Sequence, residues 1–71
     1  MFHYVYVLQS EIDHQFYIGY SQDLRQRLKD HNAGKNVSTK HRRPLELIFY
    51  EAYRHKSDAL RREEYLKTTK G

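Results

Sequence analysis

The segment Phe2–Gln9, FHYVYVLQ, is apolar on both parities, with Tyr4, Tyr6 and Leu8 on one and Val5 and Val7 on the other. Successive strand residues point to opposite faces, so a β-branched and aromatic run of this kind predicts a central strand covered on both sides. A chain of 71 residues must supply those layers from one small core that hides roughly 60% of its unfolded surface. It has no cysteine, so neither a disulfide framework nor a cysteine zinc site can staple it. Ten aromatic rings, seven of them tyrosine, exclude a disordered tail. The longest apolar run, Tyr4–Leu8, is five residues, against the roughly 20 needed to span a bilayer. No basic-then-apolar signal opens the chain. The expectation is one soluble, cytoplasmic domain over residues 1–71, without a membrane span.

The rest of the chain supplies the other layers. Ser10 to His14 is polar and turn-like, and Gln15–Tyr20 (QFYIGY) returns as the antiparallel arm of a hairpin. Gly19 weakens that strand, which marks a bulge or a close backbone approach. Ser21 is the expected N-cap of a helix over about Gln22–Asn32, with Asp23 in its first turn and Gly34 placed for a left-handed C-cap. Lys35–Arg43 reads as a basic loop. Pro44 opens a third strand, Leu45–Tyr53, again apolar on both parities, and Ser57 or Asp58 starts a second helix that runs to about Thr68. The order β-β-α-β-α predicts an α/β (α+β) architecture, a three-stranded antiparallel sheet flanked by helices.

Charge is unevenly placed. The chain carries a net +4, yet residues 1–24 hold no Lys or Arg. Residues 25–43 hold seven (Arg25, Arg27, Lys29, Lys35, Lys40, Arg42, Arg43) against the single acid Asp30. Such a block is either a solvated basic face or the contact surface for a polyanion, nucleic acid first.

Three polar residues stand out on helical wheels. With Leu24 at the origin, Leu28 falls at about 40°, His31 at about −20° and Arg27 at about −60°. Arg27 and His31 are therefore one turn apart, beside or within the stripe that faces the sheet. Each has an ordinary explanation, a snorkelling arginine and a helix-end histidine. As a pair they offer a phosphate fork and a proton carrier. On the second helix, with Ala59 at the origin, Leu66 falls at about −20° and Leu60 at about 100°. Glu63 then lies at about 40° and Glu64 at about 140°. Glu63 thus sits in the apolar face, where a carboxylate must be paired or must hold a metal. A structural pair with a first-helix arginine and a divalent-metal ligand both satisfy that requirement. Tyr6 and Tyr17 share a face only if the hairpin pairs residue numbers that add to an odd sum.

Other catalytic templates are missing. Gly19, Gly34 and Gly71 are too scattered for a phosphate loop, and the five histidines show no zinc spacing.

The ordered set Tyr4-Val5-Tyr6, then Tyr17-Ile18-Gly19 after ten residues, Arg27 and His31 on a helix, and Glu63 on a later helix resembles a GIY-YIG nuclease domain. The blocks YIGYSQDLRQRLKDHNAGK, STKHRRPLELIFYEAY and DALRREEYLK are similar to the small stand-alone bacterial members, and the resemblance runs from Phe2 to about Lys67. It implies a metal-dependent endonuclease that hydrolyses DNA phosphodiester bonds with low sequence specificity. The implied catalytic residues are Tyr6, Tyr17, Arg27, His31 and Glu63. Tyr6 would help deprotonate the attacking water, a poor base in water that improves near cations. Tyr17 would orient that water or the phosphate. Arg27 would hold the scissile phosphate, His31 would assist proton transfer, and Glu63 would hold one Mg2+ or Mn2+. Arg25, Lys29, Lys35, Lys40, Arg42 and Arg43 are the expected nucleic-acid contacts. The alternative is a catalytically weak or inactive nucleic-acid-binding module that uses the basic block 25–43.

Two features depart from the resemblance. Tyr4 stands where the first triplet has glycine, and the chain stops at Gly71, where relatives often continue. A missing C-terminal segment and a monomer or weak homodimer are the corresponding expectations.

Overall fold

A computed structural model describes residues 1–69. The elements are β1 (His3–Ser10), β2 (Phe16–Ser21), α1 (Leu24–Asn32), a short 3-10 turn at Lys40–Arg42, β3 (Leu45–Tyr53) and α2 (Lys56–Thr69). The strands form one antiparallel sheet in the order β2-β1-β3, an α+β fold with β1 at the centre as its two-parity pattern required. Strand and helix ends fall within two residues of the expected ones, and the chain end at Gly71 lies outside the described residues. Among the described residues no helix is long and apolar enough to cross a membrane.

The two faces of β1 are filled differently. Tyr6 and Leu8 join Leu45 in the main core, against which Tyr17, Leu24, Leu28 and Leu47 pack. Leu24 and Leu28 bring α1 onto that face, as the wheel required. On the other face Val5 is fully buried, as is Ala59 of α2. Arg62 of α2 anchors on the Val5 side by donating to Glu51 at 2.9 Å, and Glu51 also accepts from the Tyr53 hydroxyl. Leu60, by contrast, is exposed, so the inward stripe of α2 runs through buried Ala59 and the half-buried Glu63 and Leu66 without it.

A register shift explains the two-parity pattern of β3. Val7 pairs with Phe49 but Leu8 pairs with Leu47, leaving Ile48 as an extra residue. Because side chains alternate, one inserted residue switches which parity meets the core. Tyr50 and Ala52 therefore share a face with Leu45 and Leu47. As an edge strand, β3 leaves Ile48, Phe49 and Tyr50 exposed.

The N-cap of α1 is Asp23, not Ser21. The Asp23 carboxylate accepts from the Gln26 amide at 3.1 Å, while Ser21 stays in the β2 ladder and its hydroxyl accepts from the Asp23 amide at 2.9 Å. Strand pairing claims Ser21 first, and the next residue with a short acceptor takes over the cap. At the far end Lys35 N donates to Asp30 O and Gly34 N to His31 O, a Schellman closure with Gly34 at φ +81°. The Asn32 side chain then clamps the start of β3, accepting from Leu45 N at 2.8 Å and donating to Leu45 O at 3.1 Å.

Gly34 is held by conformation and by space, since a Cβ there would lie 2.9 Å from the Arg43 guanidinium. Gly34→Ala is expected to cost about 1–2 kcal/mol, read as a melting temperature lower by about 4–8 °C per kcal/mol for a domain of this size.

Candidate active site

The site is built outward from Gly19. The register places Tyr6 directly opposite Gly19 across the β1–β2 ladder, and the Tyr6 phenol lies over the bare backbone there. A Cβ at Gly19 would fall on the Tyr6 hydroxyl and 2.5 Å from its Cζ. The glycine is therefore the close approach that its place in a strand suggested. It gives a large ring room to lie flat against the neighbouring strand. Tyr6 is 1% exposed.

The same register brings Tyr17 onto that face, because Tyr6 pairs with Gly19 and Leu8 with Tyr17, an odd sum in each case. His31, from the last turn of α1, completes the group. Its Nε2 lies 3.0 Å from the Tyr6 hydroxyl, and its ring meets Tyr17 edge-on with centroids 5.1 Å apart. The His31 Nδ1 lies 2.8 Å from the Thr39 hydroxyl. His31 and Thr39 are both fully buried. Nothing in the sequence singles out Thr39, a small polar residue in a basic loop. Only the folded path of that loop brings it to a histidine eight residues earlier.

Burial governs the charge state of the group. It pushes the Tyr6 phenol well above the usual tyrosine range, with the Tyr17 and Glu63 charges acting in the same sense and Arg27 opposing them. A nearby cation favours phenolate, but here desolvation wins over it. Burial also lowers His31 below its ordinary value, helped by Arg27 and opposed by Asp30. At neutral pH the pair is a phenol beside a neutral imidazole, with one ring nitrogen free to accept a proton.

Arg27 lies one turn before His31 and is exposed, and its side chain makes no hydrogen bond or ion pair among the described residues. Its charge reaches both Tyr6 and His31. The Glu63 side chain is 19% exposed, and its structural partner is Lys67 of its own helix at 3.2 Å, not an arginine of α1. Its charge too is felt at Tyr6. Among the described residues no group of three or more His, Asp or Glu gathers to hold a metal. A lone carboxylate does fit Mg2+, which keeps several waters and takes one or two carboxylates plus substrate phosphate oxygens.

The basic block divides in two. Arg25, Lys29, Lys35, Lys40 and Arg43 are exposed. Arg42 is committed to the fold, pairing with Asp13 at 3.5 Å while its own carbonyl accepts from Ser10 at 2.7 Å. Lys35 faces Asp30 at 3.8 Å, and Arg43 donates to Lys40 O at 2.8 Å.

Gly19→Ala must displace the Tyr6 ring, an overpacking cost of about 1–3 kcal/mol. The Tyr6–His31 hydrogen bond should be lost with it, seen as the disappearance of the downfield proton signal of that bond from the NMR spectrum. The lowered His31 value also sets a pH window. The unfolded chain binds the His31 proton below about 6.5 and the folded chain only at lower pH, so stability is full above that value and falls as pH drops through it. Asp13 and Glu51, held below their ordinary carboxyl values, give up stability only at more acid pH. Urea midpoints between pH 7.5 and 5.5 should fall for the native sequence and flatten for His31→Gln.

The chain matches the GIY-YIG catalytic domain over residues 2–71. It is 43% identical over 67 residues to a UPF0213 protein of Staphylococcus haemolyticus, covering 93% of this chain and 80% of that protein. It is 46% identical over 66 residues to the UPF0213 protein YazA of Bacillus subtilis, covering 92% of this chain and 66% of YazA. The solution NMR structure of the UPF0213 protein BH0048 from Bacillus halodurans superposes with a TM-score of 0.59 at 38% identity, covering 94% of this chain and 71% of that one. The Tyr6–Gly19 contact across the two triplet strands, with His31 closing over it, thus occurs in a chain that belongs to the GIY-YIG family.

Proposed function

We propose that this chain is a divalent-metal-dependent endonuclease that hydrolyses DNA phosphodiester bonds with low sequence specificity and works in the cytoplasm. The observation that carries the reading is the buried chain Tyr6–His31–Thr39 beside Tyr17, with the unpaired Arg27 cation acting on it. A phenol of raised pKa is a poor phenolate base, but it can relay a proton. Its oxygen accepts from an attacking water as its own hydrogen passes to His31 Nε2 at 3.0 Å. Tyr17, edge-on to His31, is the residue proposed to orient that water or the phosphate. Arg27, exposed and uncommitted, holds the scissile phosphate as its charge develops.

Glu63 is the residue proposed to hold one Mg2+ or Mn2+. When bound, that ion supplies electrostatic stabilisation of the phosphoryl and leaving oxygens. Lys67 must then release the half-buried Glu63 carboxylate, with the bound ion replacing the ammonium as its counter-charge. Arg25, Lys29, Lys35, Lys40 and Arg43 form the proposed backbone contact, and Arg42 shapes the loop that carries them. With no further recognition element in the proposed contact set, phosphate contacts dominate, and these carry no sequence information. We propose a monomer or weak homodimer as the acting species.

Purified protein should nick supercoiled plasmid with Mg2+ or Mn2+. Arg27→Ala and Glu63→Ala should each slow nicking by about 100-fold or more, the scale seen when one transition-state donor is removed. No cleavage by the native sequence, or cleavage indifferent to Glu63→Ala, overturns the nuclease reading. Arg25→Ala and Lys29→Ala should each lower the slope of log affinity against log salt by about one. DNA binding that persists without turnover favours the binding-module alternative, with the basic face retained and the chemistry lost.

A further inference from the structure

Thr39 is fully buried in a loop whose neighbours Val37, Ser38 and Lys40 are exposed. The loop is tied down at several points around it. Asn36 O accepts from the Thr39 and Lys40 amides, Asn36 Oδ1 accepts from Ser38 N, and Thr39 O accepts from Arg42 N. Ser10 of β1 then holds the Arg42 carbonyl. These bonds deliver one hydroxyl to the His31 Nδ1 at 2.8 Å.

A neutral imidazole has one donor nitrogen and one acceptor nitrogen, and the partner of one decides the role of the other. Two arrangements satisfy the distances. In the first, Nδ1–H donates to Thr39 Oγ1 and Nε2 accepts from Tyr6. In the second, Thr39 donates to Nδ1 and Nε2–H points at the Tyr6 oxygen. Only the first leaves Nε2 able to receive the Tyr6 proton. The groups that face His31 are Tyr6 from β1, Tyr17 from β2, Arg27 and Asp30 from α1, and Thr39 from the loop.

We propose that Thr39 is the positioning residue that holds His31 in the Nδ1–H tautomer, so that Nε2 is the acceptor for the Tyr6 proton during phosphodiester hydrolysis. The proposal rests on the nuclease reading. Water loses one proton to the Tyr6 oxygen while the Tyr6 hydrogen moves to Nε2. The water oxygen forms a bond to phosphorus, and the bond from phosphorus to the leaving oxygen breaks. The leaving oxygen takes a proton from solvent. The imidazolium, its Nδ1–H still held by Thr39, returns its extra proton to solvent through Tyr6.

The test joins His31 15N NMR at pH 7.5 with plasmid nicking by the full chain. The native sequence should show a protonated Nδ1 and a lone pair on Nε2. Thr39→Ser, which keeps the hydroxyl, should preserve that signature and nick within about twofold of the native rate, given that only a methyl is lost. Thr39→Val, nearly the same shape without the acceptor, should lose the tautomer preference. It should nick about 10–100-fold more slowly, the range found for groups that orient an imidazole ligand, with the loss in kcat and not in KM. If Thr39→Val fails to fold, the tautomer of the native sequence and the Ser variant still decide. A native protein that cleaves plasmid with its proton on Nε2 overturns the assignment to Thr39 alone, as does a folded Thr39→Val with native tautomer and rate. A native protein that cleaves nothing overturns the nuclease reading itself.

Discussion

A tyrosine ring lying across the central ladder needs a neighbour with no side chain, and Gly19 is that neighbour. Much of the site depends on this contact. With the ring seated over Gly19, its hydroxyl reaches His31 at 3.0 Å, and the last turn of α1 is bonded to the sheet at the centre of the proposed site. The contact also takes most of the phenol out of bulk water. Leaving any one of these buried polar groups unmatched would cost about 1–3 kcal/mol. Among the described residues no buried side-chain polar atom lacks a partner.

Seclusion determines what the group can do. A surface tyrosine near an arginine gains some phenolate character. Here burial outweighs the Arg27 field and the phenol keeps its proton. The same burial holds His31 in its neutral form. Desolvation therefore turns two residues that would titrate independently in water into a donor and acceptor pair. Arg27, exposed beside them, and Glu63, half-buried on α2, bring charges of opposite sign to bear on Tyr6. That polarity suits a phosphate at the cation and a metal at the carboxylate.

The basic loop serves the fold as well as the surface. Its sequence reads as a run of cations, and several of them are exposed. Arg42, however, braces the β1–β2 hairpin through Asp13, and the loop turns Thr39 inward to His31. A charge run is locally visible. Which of its members are spent on structure depends on acidic and carbonyl partners more than twenty residues away, such as Asp13 and Phe16.

The sequence by itself determined the elements and their order, because strand alternation, helical periodicity and capping are local. It also marked β1 as central, Gly19 as a bulge or a close approach and Gly34 as the closure of α1, while the resemblance to the GIY-YIG family marked Tyr6, Tyr17, Arg27, His31 and Glu63 as candidates. Only the tertiary structure decided the register, and register is what places Tyr6 and Tyr17 on one face. It moved the N-cap to Asp23 because strand pairing claimed Ser21. It resolved the two-parity pattern of β3 into one core face through the extra residue Ile48. It gave Glu63 to Lys67 and His31 to Thr39. These outcomes are non-local or depend on side-chain geometry, and periodicity carries no record of which distant hydroxyl or ammonium a buried group will meet.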